Sequence, residues 1–368
     1  MKIDKNRGAI YIHIPFCTSR CLYCDFYSEV SDGELIYRYI ENLTTEFERY
    51  QEQSSKKIFE TIFIGGGTPS LLDNDQLEMI VSKLYELFNI SPDAEVTMEM
   101  NPESITVEKG KFWRQLGINR ASIGFQSAND TELKLLDRTH TAKESITAFD
   151  RLRKVGFDNI SIDLIYNIEG QSRKNWVETL REVGNLMPEH ISAYELTIDK
   201  GSRLANYLES KNITLEHSEQ FFDLAVDLLN IYSYQHYEVS NFARDNFQSR
   251  HNLKYWNYHD YIGFGPAAHS KLGDLRWSNI NNLQEYSKRL IQGGLPIGDS
   301  EKLTNEIKVT EKLMLGLRIK DGLPMEPEFN REAIELLIAD RLLKIENNYL
   351  KATKQGMKQL NFLLEALV

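Results

Sequence analysis

Cysteine is scarce in this chain. There are three in 368 residues, all within positions 17–24. So small, odd and clustered a set does not make a disulfide framework. The N-terminal MKIDKNRG carries no signal-peptide core and no lipidation motif, so a reducing cytosol is the expected compartment. Long apolar runs are missing too. None approaches the ~20 residues that cross a bilayer, and the mean hydropathy is −0.43. Positive charge is in deficit, with 43 Lys and Arg against 54 Asp and Glu for a net charge of −11. Binding to nucleic acid rests on cationic contacts to phosphate. Nucleic acid and anionic membrane surfaces are therefore not expected partners, and the sequence has no long basic run.

What is present is an ordinary globular composition, 41% hydrophobic and 26% charged, long enough for one large domain and a smaller one. Short β-rich runs occupy residues 10–14 (IYIHI), 61–64 (TIFI), 95–100 (EVTMEM), 120–125 (RASIGF), 159–166 (NISIDLIY) and 191–197 (ISAYELT). Amphipathic stretches separate them. In residues 34–50 the apolar positions Ile36, Ile40, Leu43 and Phe47 fall on one helical face, and LEMIVSKLYELF and WVETLREVGNLM repeat the pattern. Gly156, in RLRKVGF, sits where a helix would end in a left-handed cap. Six βα units argue for a parallel sheet. An open doubly wound sheet and a complete or partial barrel are equally compatible with the pattern.

Past residue 230 the character changes. Residues 232–264 are dense in aromatic and polar side chains and read as irregular structure with short strands. GGLPIGD (293–299) reads as a linker. Helical periodicity returns in VTEKLMLGLRI, REAIELLIADRLL and GMKQLNFLLEALV, with a short hairpin at NNYL-KAT between the last two. That order suggests a small winged-helix-like module without a DNA role. The expected organisation is thus a core domain over 1–232, an aromatic-rich connecting region over 233–298 and a mainly helical domain over 299–368.

The three cysteines form C-x-x-x-C-x-x-C, as Cys17, Cys21 and Cys24. Structural zinc wants four ligands, so His13 or Asp25 would have to join them. Three thiolates suit three corners of an iron–sulfur cubane, leaving one iron open to chelate a substrate's amino and carboxylate groups. Directly after the second strand comes Gly65-Gly66-Gly67-Thr68-Pro69, whose glycines let backbone groups approach a ligand. It is neither a dinucleotide fingerprint nor a P-loop. Glu99 closes the third strand, Gln126 follows the fourth, Asp163 lies in the fifth, and Arg138 carries a fork suited to a carboxylate.

HIPFCxxxCxYC resembles the radical S-adenosylmethionine superfamily and, within it, the oxygen-independent coproporphyrinogen III oxidase-like family. The resemblance runs from Tyr11 to at least His269. It implies a partial (β/α)6 barrel, followed here by the smaller helical domain. It also implies a [4Fe–4S] cluster on the three cysteines, and one-electron cleavage of S-adenosylmethionine to a 5′-deoxyadenosyl radical. The electron would come from a flavodoxin- or ferredoxin-type donor. The family's cofactor positions fall on Tyr11, Gly66, Gly67, Thr68, Glu99, Gln126, Arg138 and Asp163, with the glycine loop receiving the methionine amino group. Tyr23 matches a residue that touches a second S-adenosylmethionine in the oxidase.

Three departures from the family pattern bear on function. The family often reads IDLIYGLPGQ, where this chain has IDLIYNIEGQ, with Asn167 and Glu169 in place of glycine and proline. The oxidase has a fourth cysteine, where this chain has Phe26, and an N-terminal extension, for which a strand starting by residue 10 leaves no room. Both of these point away from coproporphyrinogen oxidation. Residues 250–256, RHNLKYW, contain H-N-x-x-Y-W, which looks like the signature of a haem chaperone branch. That resemblance implies haem binding and delivery to acceptor haemoproteins, with His251 a candidate iron ligand and Tyr255 and Trp256 candidates to stack on the macrocycle. Arg250 or Lys254 could pair with propionates. His259 and His269 compete with His251, and on residue types alone the segment suits a packed interior better than a haem site.

Overall fold

The computed structural model describes residues 6–24, 26–30, 33–197, 203–211 and 218–367. Six parallel strands follow the six predicted runs: β1 (Arg7–Ile14), β2 (Ile58–Gly66), β3 (Ile90–Met100), β4 (Arg120–Gln126), β5 (Ile160–Tyr166) and β6 (His190–Glu195). Helices cross between them: α1 (Gly33–Ser54), α2 (Asn74–Leu87), α3 (Val107–Gln115), α4 (Asp130–Leu135), α5 (Ala142–Lys154) and α6 (Arg173–Leu186). Their starts are written in the sequence. Asp73 with Gln76, and Thr141 with Glu144, form reciprocal capping boxes on α2 and α5. Gly156 follows α5 at φ +91°, the left-handed position expected of it.

Strand alternation divides the residues between two faces. Ile10, Ile12, Ile14, Ile62, Ile64, Val96, Met98, Ala121, Ile123, Ile160, Ile162 and Ile191 point outward and are buried under the helices. The stripe on α1 packs there through Ile40, Leu43 and Phe47. Each such Ile, Leu, Val, Met or Phe side chain contributes about 1.5–3 kcal/mol. The other face is polar. Register places Tyr11 beside Phe63, Phe63 beside Thr97, Thr97 beside Arg120, Glu99 beside Ser122, and Asp163 beside Ser192. An all-parallel sheet normally has both faces apolar. The polar face here carries the candidate site.

Residues 233–298 are more regular than their composition suggests. They form β7 (Gln235–Glu238), β8 (Asn241–Ala243), α9 (Arg250–Trp256), β9 (Asp260–Phe264), β10 (His269–Leu272), β11 (Leu275–Asn279) and α10 (Leu283–Ile291). β9 pairs in parallel with β1 on the side opposite β2. The expected linker 293–299 turns at Gly293 (φ +88°) and runs into β12 (Ile297–Lys302), which pairs with β11. One twelve-stranded sheet results, in the order β12-β11-β10-β9-β1-β2-β3-β4-β5-β6-β8-β7. Short strands show little alternation, and β1 lies some 250 residues from its partner β9, so local pattern could not reveal this pairing. Two further helices, α7 (Arg203–Lys211) and α8 (Ser218–Ile231), precede β7.

The C-terminal part comprises α11 (Asn305–Gly316), α12 (Arg331–Ala339), α13 (Lys354–Lys358) and α14 (Leu360–Leu367) around three short strands. These are β13 (Leu323–Pro324), β14 (Leu343–Glu346) and β15 (Tyr349–Ala352). The hairpin foreseen at NNYL turns on Asn347 and Asn348, at φ +52° and +63°, the primed-turn geometry that asparagine tolerates. Two helices end earlier than their periodicity suggests. α12 stops at Ala339, before Arg341 turns to φ +60°, and the last helix breaks at Gln359 into α13 and α14. Lys354 and Lys358 pair with Asp223 and hold this part against α8.

Candidate cluster and cofactor site

The cysteine loop leaves β1 through Pro15 and is pinched at its base. Phe16–Cys17 pairs in parallel with Glu29–Val30, and the Glu29 N–H donates to the Pro15 carbonyl at 2.6 Å. Cys17, Cys21 and Cys24 are free and half-buried. Burial pushes the Cys17 and Cys24 thiols up, and at Cys17 hydrogen bonds from Thr68 and Ser28 oppose it. Two sulfurs already have donors: Thr68 Oγ1 lies 3.5 Å from Cys17 Sγ, and Arg138 Nη1 lies 3.5 Å from Cys21 Sγ. Such bonds favour thiolate over thiol.

His13 is not free to complete a four-ligand zinc site on this loop. His13 is engaged at both ring nitrogens, Nδ1 3.0 Å from the Tyr11 hydroxyl and Nε2 2.8 Å from the Tyr27 carbonyl. Asp25 lies outside the described residues. Among the described residues no three His, Cys, Asp or Glu side chains gather as around one ion. A set of three thiols, two with hydrogen-bond donors on sulfur, suits a three-thiolate cluster.

The glycine loop presses against the cysteine loop. The Gly67 N–H donates to the Ile14 carbonyl at 2.8 Å, and the Thr68 N–H to the Phe16 carbonyl at 2.7 Å. Gly66 has φ +107°, and a Cβ there would stand 2.5 Å from His13 Nδ1; one on Gly67 would stand 2.6 Å from the Phe16 carbonyl oxygen. Only glycine fits. The Gly66 N–H donates to Glu99 Oε2 at 3.0 Å. Burial, then repulsion from Asp163, raises Glu99 to about 8, against the lowering effect of the Gly66 bond.

The remaining predicted residues share this face. Asp163 accepts from Ser122 Oγ at 2.9 Å and Ser161 Oγ at 3.3 Å, and burial raises its pKa. Gln126 ends β4 at φ +65°. A Cβ on Gly124 would lie 3.0 Å from Gln126 Nε2 and 3.2 Å from Arg138 Nη2, so both side chains cover that glycine. Tyr23 packs against Leu136, Ile165, Ile168, Leu196 and Leu204, and its phenol is raised by burial against the pull of Arg138. Asn167 takes φ +62°, the left-handed position a glycine would occupy, and its N–H bonds Gln171 Oε1 at 2.9 Å. The IYNIEGQ departure thus keeps a glycine-like turn, because asparagine tolerates that conformation.

Sequence reasoning missed Asn101. It accepts from Arg138 Nη2 at 2.7 Å and donates from Nδ2 to Thr68 Oγ1 at 3.3 Å. The available signal was its position: a polar residue directly after β3, two beyond Glu99 and just before Pro102.

The H-N-x-x-Y-W residues do not join this site. Helix α9 lies beneath it, at the N-terminal half of β2 and β3. Ser249 caps the helix, and the Arg250 and His251 N–H groups donate to Glu95 at 3.1 and 2.9 Å. His251 is 1% exposed, with Nδ1 2.9 Å from Thr61 Oγ1 and Nε2 2.9 Å from the Tyr255 hydroxyl. Its ring centroid lies 5.2 Å from Phe63 and 4.9 Å from Tyr255. Burial lowers its pKa to about 3. In this conformation neither nitrogen is available to an iron. Tyr255 meets Tyr261 edge-on at 4.6 Å, Trp256 lies under the Arg318 guanidinium at 5.5 Å, and Lys254 pairs with Glu60. The expected stacking and propionate-pairing groups thus already have protein partners. His259 is half-buried and His269 is exposed.

A family model described as the Radical SAM superfamily matches residues 11–183. The chain is 33% identical to a protein named heme chaperone HemW from Bacillus subtilis, over 85% of this chain and 83% of that protein. It is 33% identical to the HemW of Buchnera aphidicola subsp. Acyrthosiphon pisum over 97% of each. With that of Lactococcus lactis the identity is 32%, over 97% of this chain and 96% of the other. Among solved structures, the coproporphyrinogen III oxidase HemN of Escherichia coli matches with a TM-score of 0.84 at 21% identity, over 99% of this chain and 91% of that one. That likeness shows the fold.

Proposed function

The chain belongs to the HemW family of the radical S-adenosylmethionine superfamily, and from that premise we propose that it binds haem and delivers it to acceptor haemoproteins. The observation that carries this reading is the relation, at about one-third identity along most of the chain, to proteins named haem chaperones. The site supports its cofactor half. Cys17, Cys21 and Cys24 would hold a [4Fe–4S] cluster, and S-adenosylmethionine would lie over the C-terminal ends of β2 to β5. When bound, the cluster supplies one electron and an open iron. Arg138, next to Cys21, would place its guanidinium charge beside the cofactor carboxylate. Glu99, raised to about 8, stands at the glycine loop where an ammonium would draw its proton off. Gln126 and Asp163 present an amide and a carboxyl group to ribose hydroxyls. The single electron would come from a flavodoxin- or ferredoxin-type donor, in a reducing cytosol where the thiols stay free.

For His251 we propose a structural role, closing the lower end of the polar face. Trp256, with the Arg318 guanidinium over its ring, would tie α9 to the C-terminal part. No helix among the described residues is long and apolar enough to cross a membrane.

The test is anaerobic reconstitution with iron and sulfide, followed by haemin titration and, separately, incubation with coproporphyrinogen III, a reductant and S-adenosylmethionine. Expected are a cubane's iron and sulfide content, a Soret band saturating with haemin, and no protoporphyrinogen. Stoichiometric protoporphyrinogen would establish the oxidase instead.

A further inference from the structure

We propose that Asn101 is a positioning residue that joins the Cys17 and Cys21 arms of the cluster loop into one hydrogen-bonded frame and directs a hydroxyl proton at Cys17. The proposal rests on the reading of the three cysteines as cluster ligands. Four contacts run end to end: Cys17 Sγ to Thr68 Oγ1 at 3.5 Å, Thr68 Oγ1 to Asn101 Nδ2 at 3.3 Å, Asn101 Oδ1 to Arg138 Nη2 at 2.7 Å, and Arg138 Nη1 to Cys21 Sγ at 3.5 Å. The chemistry of the ends fixes the direction of every bond. A guanidinium only donates, so the atom facing Arg138 must be the amide oxygen. The amide nitrogen then faces Thr68, whose oxygen must accept. The one threonine hydrogen is thereby left for the sulfur of Cys17.

The backbone holds Asn101 for this task. Its N–H donates to Ser70 Oγ at 3.1 Å. Its carbonyl accepts from the Ser104 N–H at 3.0 Å and from Ser104 Oγ at 2.7 Å. Pro102 then opens a short 3-10 turn that carries the chain off the sheet. The amide supplies an acceptor to one side and a donor to the other. An aspartate offers acceptors to both. It would keep Arg138 but draw the Thr68 hydrogen to itself, leaving Cys17 without its hydrogen bond from Thr68. Hydrogen bonds to cluster sulfurs raise the reduction potential by favouring the more negative reduced state. The N101D frame therefore places the cluster at a more negative potential.

The experiment is a redox titration of the anaerobically reconstituted full-length protein without S-adenosylmethionine, read by the paramagnetic resonance of the reduced cluster. Variants are Asn101→Asp, Thr68→Val, Thr68→Ser and the double variant Asn101→Asp/Thr68→Val, each checked by urea midpoint. Expected is a negative shift in Asn101→Asp and in Thr68→Val, retention of the native potential in Thr68→Ser, and a double variant that coincides with Thr68→Val. An unchanged potential in Asn101→Asp would overturn the proposal. So would a double variant shifted by the sum of the two singles, since the aspartate would then act by its charge and not through Thr68. If Asn101→Asp does not fold, Asn101→Ala removes both the donor to Thr68 and the acceptor for Arg138 without adding charge, and an unchanged potential there overturns the proposal equally. A wild-type protein that takes up no cluster would overturn the cysteine reading, and this proposal with it. A loaded wild type with unshifted variants would overturn this proposal alone.

Discussion

Replacing His251 with alanine separates a structural histidine from an iron ligand. The ring is 1% exposed and bridges two hydroxyls, Thr61 Oγ1 and the Tyr255 O–H, each 2.9 Å away. Truncation leaves both without that partner, at about 1–3 kcal/mol per buried polar group. It also removes the contacts with Phe63 and Tyr255, about 0.5–1.5 kcal/mol for each ring pair. The losses share one cavity and do not add fully, so the expected cost is about 3–5 kcal/mol at pH 7. The pH dependence carries a sign. Burial lowers the folded-state pKa from 6.5 to about 3, so the unfolded chain binds the extra proton between these values. Stability from this group is complete above 6.5 and falls as pH drops toward 3. The gap between wild type and His251→Ala should therefore narrow below pH 6.5. Urea unfolding from pH 4 to 8 measures the gap, and haemin titration of the folded variant at low temperature measures binding. A loss of stability below 1 kcal/mol together with loss of the Soret band would refute the reasoning and return His251 to the iron.

Two further substitutions probe the site. Burial raises the Glu99 carboxyl from 4.5 to about 8, so stability is lost as pH rises through that window. Glu99→Gln should match wild type at pH 4 and exceed it at pH 8.5 by about 2–3 kcal/mol, below the linkage ceiling of about 5 because the inner face is partly open to solvent. Equal urea midpoints at pH 8.5 would contradict the shift. Gly66→Ala puts a Cβ 2.5 Å from His13 Nδ1 at φ +107°. It should cost about 1–3 kcal/mol and weaken S-adenosylmethionine binding at least tenfold by equilibrium dialysis. Undiminished affinity would show that the loop does not contact the cofactor.

The first two-thirds of the chain was legible because its strands are short β-rich runs and its helices carry a one-sided apolar stripe, as Ile36, Ile40, Leu43 and Phe47 do on α1. The candidate site was legible where spacing carries chemistry: three cysteines on one short loop, glycines after β2, and polar residues at the ends of successive strands. Non-local pairing was hidden. Nothing near Asp260 signals that β9 lies against β1, so a stretch of core sheet read as a connector. His251 is ambiguous in the sequence for a related reason. A histidine beside aromatic residues has the same composition whether it lines a ligand pocket or fills an interior, and only the positions of Thr61 and Tyr255 distinguish the two. Asn101 escaped because a lone asparagine at a strand end has no pattern of its own, and its role lies in contacts with residues 33 positions before it and 37 after.

Haem transfer tests the central claim most directly. Anaerobically reconstituted protein carrying one equivalent of haemin is mixed with an apo-haemoprotein, and the Soret maximum is followed with time. The expected result is movement of the band from the carrier's position to the acceptor's, with stoichiometric recovery of holo-acceptor faster than from free haemin. Failure to retain haemin through gel filtration, or transfer no faster than from free haemin, would contradict the proposed function.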